Sequence, residues 1–162
     1  MNIGTPCNDS QKIMIPVFLT RIRTSDGVRL EGVVVLPKRK GDTALIWIHG
    51  LGSRFSSGQT ILKELSRACQ KNGIAYLKFN NRGHDFVNKD ARPFGGSGFE
   101  HFKDCVLDIR AMIRFAKKLG YKKIILAGHS TGANKTLYYM YKTRDRAVKG
   151  LALIGPISDI AG

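Results

Sequence analysis

Histidine is absent from this chain after position 129, carboxylates are scarce throughout, and cysteine is rare. Cys7, Cys69 and Cys105 are odd in number and form no Cys-x-x-Cys pair, which supports neither a disulfide framework nor a metal site. Cys69 and Cys105 fall on the inner faces of helical patterns and read as buried, reduced thiols. No apolar run approaches the roughly 20 residues of a membrane span. Residues 1–11 lack the charged segment followed by an apolar one that marks a secretory leader. They are polar, with Gly4 and Pro6, and are expected to be a flexible N-terminus. The expected compartment is the cytoplasm.

The shortage of carboxylates has a consequence: 12 Asp and Glu against 27 Lys and Arg leave a net charge of +15 on 162 residues. Such an excess suits nucleic acid, an anionic membrane surface or an acidic substrate. The cations are nevertheless dispersed, as Lys38-Arg39-Lys40, Lys117-Lys118, Lys122-Lys123 and Arg144 to Lys149. Without interleaved aromatics or a nucleic-acid motif, specific nucleic-acid binding is not expected. Solvated faces, or an acidic remainder of a longer protein, account for the charge. With 43% hydrophobic and 24% charged residues, the rest of the composition is that of an ordinary globular domain.

What is present is a regular alternation of patterns. Lys12 to Thr24 and Val28 to Leu36 are β-type runs around the turn signal Ser25-Asp26-Gly27, which predicts a hairpin. Thr43 to Ile48 is unbroken apolar sequence, as in a strand buried on both faces. Gln59 to Lys71 has helical spacing through Ile61, Leu62, Leu65, Ala68 and Cys69, and ends at Asn72-Gly73. Ile74 to Phe79 is a second buried strand. Phe86 to Gly98 is a long loop, of the kind that is functional or mobile. Phe99 to Leu119 is a helix with Phe102, Val106, Ile109, Ile113 and Ala116 inward, closed by Gly120. Val148 to Ile154 reads as one more buried strand. The order specifies an α/β protein: a mostly parallel sheet with an antiparallel N-terminal hairpin.

The most informative stretch is Ile124 to Ala133. An apolar strand runs into Gly128-His129-Ser130-Thr131-Gly132, and a helical segment, Asn134 to Arg144, follows. In that context Gly-x-Ser-x-Gly forms a nucleophile elbow, a sharp turn that exposes the serine hydroxyl above the sheet. Gly128 and Gly132 lack a Cβ, so strand and helix can approach closely. The helix N-terminus points its N–H groups and dipole to where an oxyanion would form.

Together with His49-Gly50-Leu51-Gly52 after the first buried strand, and Asn80-Asn81-Arg82-Gly83-His84-Asp85 after the second, this stretch resembles the α/β-hydrolase superfamily. Within it, the chain is most similar to the serine-hydrolase branch of monoacylglycerol lipases and serine aminopeptidases, from about Leu30 to the end. The resemblance implies Ser130 as nucleophile and the backbone N–H groups of Leu51 and Thr131 as oxyanion hole. It implies supporting roles for His49, Gly50, Gly52, Gly128, His129 and Gly132, with His49 orienting its loop and His129 packing or lining the pocket. The reaction implied is hydrolysis of an ester, thioester or amide, on a small-molecule acyl substrate, with neither metal nor organic cofactor.

The chain departs from the family in three respects. Asn80 stands where an Asp is usual, and His84-Asp85 replaces small residues. Neighbours in sequence seldom face each other, so His84 and Asp85 are not expected to act as a catalytic pair. The third departure is the missing histidine: a triad in this fold runs Ser, acid, His, and only Asp145 and Asp159 follow Ser130. Asp159 is read as a turn or cap residue. Residues 12–162 are therefore expected to be the N-terminal portion of the core, with acid, base, further strands and lid outside them. By themselves they are expected to be inactive and to self-associate through an unpaired sheet edge. A P-loop is excluded because His129 and Asn134 stand where it needs Gly, and Phe55 breaks a dinucleotide fingerprint at Gly50-Leu51-Gly52. A non-catalytic binding or regulatory protein on the same scaffold is the alternative.

Overall fold

The computed structural model describes residues 15–88 and 95–158. In these, β1 (Phe18–Arg23) and β2 (Arg29–Val35) pair antiparallel, with Phe18 opposite Val34 and Arg23 opposite Arg29. Thr24 closes the turn: its hydroxyl accepts the Val28 N–H at 2.9 Å, and its carbonyl accepts the Gly27 N–H at 3.1 Å. The expected hairpin is present. Residues 12–14 of its first run lie outside the described residues.

β3 (Thr43–Ile48), β4 (Ala75–Phe79), β5 (Lys123–His129) and β6 (Val148–Ile154) continue the sheet in the order β1-β2-β4-β3-β5-β6. The β2–β4 pair is antiparallel, and the β4–β3, β3–β5 and β5–β6 pairs are parallel. Parallel neighbours require crossovers, and the three helices provide them. These are α1 (Gln59–Lys71), α2 (Cys105–Lys118) and α3 (Thr131–Thr143). α1 covers one face, where Leu62, Leu65 and Cys69 pack with Trp47 and Tyr76. α2 and α3 cover the other, where Ile109, Met112, Ile113 and Tyr139 meet Ile46, Leu77 and Leu126. Each strand of the middle therefore serves two cores, which is why β3 reads as an unbroken apolar run and β4 is buried along its whole length.

The inward faces differ in detail from the expectation. On α1, Ile61 is half exposed and Ala68 is exposed, while Ser66 is buried. The expected long helix from Phe99 starts later: a turn and a 3-10 segment, Phe102–Asp104, precede α2, and the side chain of Phe102 points outward against Tyr138. α3 starts earlier, at Thr131. β6 is not a buried strand. Leu151, Leu153 and Ile154 are 40%, 40% and 44% exposed, because β6 is the last strand of the sheet among the described residues and has a strand neighbour, β5, on one side only.

Candidate functional site

The three central parallel strands bring their C-terminal ends together, the usual place for a site in an open α/β sheet. β3 leaves into His49-Gly50-Leu51-Gly52, β4 into Asn80 to Asp85, and β5 into Ser130.

Ser130 has φ 55 and ψ −131, a backbone conformation that costs energy for any residue with a Cβ. Its N–H donates to Ile154 O and its carbonyl accepts the Ala133 N–H, both at 2.9 Å, so β6 and the first turn of α3 hold the strain in place. The turn is so tight that side chains are excluded around it. A Cβ on Gly128 would lie 2.3 Å from Gly132 O, and one on Gly132 would lie 2.2 Å from Ile48 O. Gly50 sits against Ser130, where a Cβ would be 3.1 Å from Ser130 Cβ and 3.5 Å from Oγ. Among the described residues, no side chain hydrogen-bonds Ser130 Oγ, and the N–H groups of Leu51 and Thr131 have no acceptor. Thr131 Oγ1 is buried, likewise without a partner.

His49 is locked beneath this turn. Its Nδ1 donates to Gly50 O at 2.8 Å, its Nε2 accepts the Asn81 N–H at 2.9 Å, and its carbonyl accepts from Asn81 Nδ2 at 3.0 Å. Accepting at Nε2 requires the neutral ring. Burial, with Lys135 and Lys78 nearby, lowers its pKa to about 3. Both ring nitrogens are therefore engaged in holding the β3 and β4 loops together.

The β4 loop is anchored at every step. Asn80 Oδ1 accepts the Phe55 N–H at 2.8 Å, which pins the segment following the β3 loop. Arg82 donates through its N–H and Nε to the Asp108 carboxylate at 2.8 and 3.0 Å and pairs with Asp26 and Asp104. It thereby ties the loop to α2 and to the β1–β2 turn. Burial pushes Asp108 up to about 6 against the pull of that guanidinium.

His84 and Asp85 do face each other, contrary to the expectation from their adjacency. Asp85 adopts φ 58, which swings its Oδ2 to within 2.9 Å of His84 Nδ1. His84 Nε2 accepts from Asn88 Nδ2 at 2.8 Å, and Arg54 pairs with Asp85 at 3.0 Å. The pair is spent within this loop.

Sequence reasoning missed one feature. Lys135, on the inner side of α3, is 2% exposed and its Nζ lies 2.5 Å from Glu100 Oε1, with Glu100 itself 5% exposed. The Glu100 carboxylate fills the space above Gly83, where a Cβ would be 2.0 Å from Oε2. This lysine is half of a buried ion pair that joins α3 to the segment lying over Gly83 of the β4 loop. Thirty-five residues separate the partners, so no local pattern could reveal it. Conversely, His129 does not pack: it is exposed at the end of β5. Asp159 lies outside the described residues.

Residues 39–162 match the family described as serine aminopeptidase, S33. The chain belongs to this α/β-hydrolase family. The S33 match begins in the β2–β3 connection and takes in all three motif loops. Among solved structures the chain is similar to the Pyrococcus furiosus esterase Pf2001, at 21% identity over 88% of this chain and 52% of that one, with a TM-score of 0.68. It is also similar to the α/β hydrolase GrgF from Penicillium sp. sh18, at 22% identity, 90% and 47% coverage and a TM-score of 0.72. The esterase domain of a Rhodothermus marinus protein gives 24% identity, 88% and 51% coverage and a TM-score of 0.60. At these identities the likeness establishes the fold, and the chain spans about half the length of these structures. No curated protein matches the sequence.

Proposed function

We propose that this chain carries the nucleophile and the oxyanion hole of a serine hydrolase. In this reading Ser130 attacks the carbonyl of an ester, thioester or amide. The N–H groups of Leu51 and Thr131 stabilise the tetrahedral oxyanion. Its collapse breaks the C–O, C–S or C–N bond, and the protonated alcohol, thiol or amine leaves. Water then hydrolyses the acyl-serine to the acid and free Ser130. Gly50, Gly52, Gly128 and Gly132 keep the turn tight, and His49 orients the Leu51 loop as a neutral spacer. The observation that carries the reading is the Ser130 backbone, held at φ 55 and ψ −131 against Gly50. Strain of that kind persists where surrounding structure enforces it, and it presents Oγ at the end of the sheet.

The reaction needs a base: His49 and His84 each have both ring nitrogens engaged elsewhere, and among the described residues neither His101 nor His129 hydrogen-bonds Ser130 Oγ. We assign base and acid to a segment outside these 162 residues. The free Oγ also favours a second reading, a non-catalytic binding protein on this scaffold. Labelling with a fluorophosphonate probe separates the two. The serine-hydrolase reading expects Ser130-dependent labelling of a longer form that contains a later Asp and His, abolished in Ser130→Ala. Failure of that longer form to label would leave the binding protein. Labelling of the 162-residue chain itself would show that a residue present here activates Ser130.

A further inference from the structure

The cations that are scattered in the sequence are gathered by the fold at one end of the molecule. Thr43 is opposite Lys123 and Ile124 is opposite Val148, so the three parallel strands β3, β5 and β6 start at the same edge. That edge is the one opposite Ser130, which lies past the far end of β5. The connections that feed it carry the basic runs. Lys38, Arg39 and Lys40 precede β3. Lys117 and Lys118 end α2, Lys122 lies between α2 and β5, and Arg144 and Arg146 lie between α3 and β6. All of these side chains are exposed.

These connections touch one another. The N–H groups of Lys122 and Lys123 donate to Asp42 O at 2.8 and 3.0 Å, and a Cβ on Gly120 would lie 3.4 Å from Lys40 Nζ. The carboxylates in these connections are already engaged, Asp42 with Lys123 at 3.1 Å and Asp145 with Lys117 at 3.8 Å. Among the described residues, no ion pair takes up Lys40, Lys118, Lys122, Arg144 or Arg146.

We propose that this basic end docks on an anionic phospholipid surface. The cations are spread across several loop tips along a sheet edge, a layout that meets a plane of mobile headgroup phosphates. A duplex with fixed phosphate spacing would instead call for a groove or an inserted element. Most of them are lysines, compact charges without the fork geometry that reads bases. Lys142 Nζ lies over one face of each of the Tyr138 and Tyr141 rings, at 5.6 and 5.3 Å, so the chain's own cation already takes up a face of each. Docked this way, the molecule turns Ser130 away from the lipid and toward solvent. The inference does not depend on the chemistry of Ser130.

The test is co-sedimentation of the full chain with phosphatidylcholine vesicles, with or without about one-third phosphatidylserine, at about 0.1 M and about 0.5 M salt. Binding should require phosphatidylserine and fade at the higher salt. The triple variant Lys40→Gln, Lys118→Gln, Lys122→Gln should lose at least about tenfold in partitioning. A control carrying Arg29→Gln, Lys63→Gln and Lys103→Gln changes net charge equally but elsewhere, and should stay within about twofold of the parent. Melting curves for each variant show whether it is folded. Equal losses in both triple variants would mean that net charge alone binds, and would overturn the proposal. So would no binding to anionic vesicles, or tighter binding to a DNA duplex that is lost in the first triple variant.

Discussion

Gly50 and Ser130 meet where β3 and β5 end side by side, close enough that a methyl on Gly50 would stand 3.1 Å from Ser130 Cβ. This spacing is tight without being prohibitive, so the neighbour must give by a few tenths of an ångström. Gly50→Ala is expected to leave the fold nearly as stable, within about 1 kcal/mol. In whichever form labels at Ser130, it should slow the labelling about tenfold by displacing the hydroxyl. Unchanged labelling would mean that the Leu51 loop adjusts freely and does not set the geometry of Ser130.

Gly132 is a different case, because its clash is with backbone. A Cβ there would be 2.2 Å from Ile48 O and 2.7 Å from His49 O, backbone atoms at the C-terminal end of the central strand β3. Gly132→Ala should cost roughly 3 kcal/mol or more in urea unfolding, at the upper end of overpacking penalties. A cost below about 1 kcal/mol would show that α3 can lift off β3.

His49 gives stability a defined pH dependence. Its folded pKa of about 3 lies below the ordinary imidazole value of 6.5. Between these values the unfolded chain binds a proton that the folded chain excludes, so this contribution is full above pH 6.5 and lost as pH falls toward 3. Comparing the parent with His49→Asn by urea unfolding should therefore show a stability gap that narrows on acidification. A gap that is constant with pH would mean that His49 protonates in place.

The buried pair of Lys135 and Glu100 predicts an asymmetry. Glu100→Gln leaves a buried ammonium without its carboxylate and should destabilise by about 3–5 kcal/mol. Combining Lys135→Met with Glu100→Leu should recover most of that loss, since apolar replacements of similar size need no counter-charge. If the double variant is no better than the single one, the pair does more than neutralise itself, and its hydrogen bonding fixes the position of the loop over Gly83.

The regular elements were legible because their signals are local. The boundaries of β3, α1 and β6 and the hairpin turn follow from runs, periods and turn residues within a few positions of one another. The start of α2 was misread at Phe99 because the apolar period continues through Phe102, yet that ring turns outward to Tyr138. β6 was misread as buried because its composition is that of a central strand, whereas burial depends on neighbours that composition does not contain. His84 and Asp85 were misjudged because adjacency was taken to prevent contact. The positive φ of Asp85 brings the two side chains together.

By itself the sequence determined the order of strands and helices, the α/β class, and the glycine-flanked turn at Ser130, all of which depend on residues close together in the chain. Only the tertiary structure decided which distant groups meet. It set Asn81 on His49, Glu100 on Lys135, and Asp108 on Arg82, and it collected dispersed lysines at the strand starts opposite Ser130. The physical reason is the parallel sheet. Successive crossovers return the chain to the same edge, so loops far apart in sequence become neighbours there, and their charges add up in space.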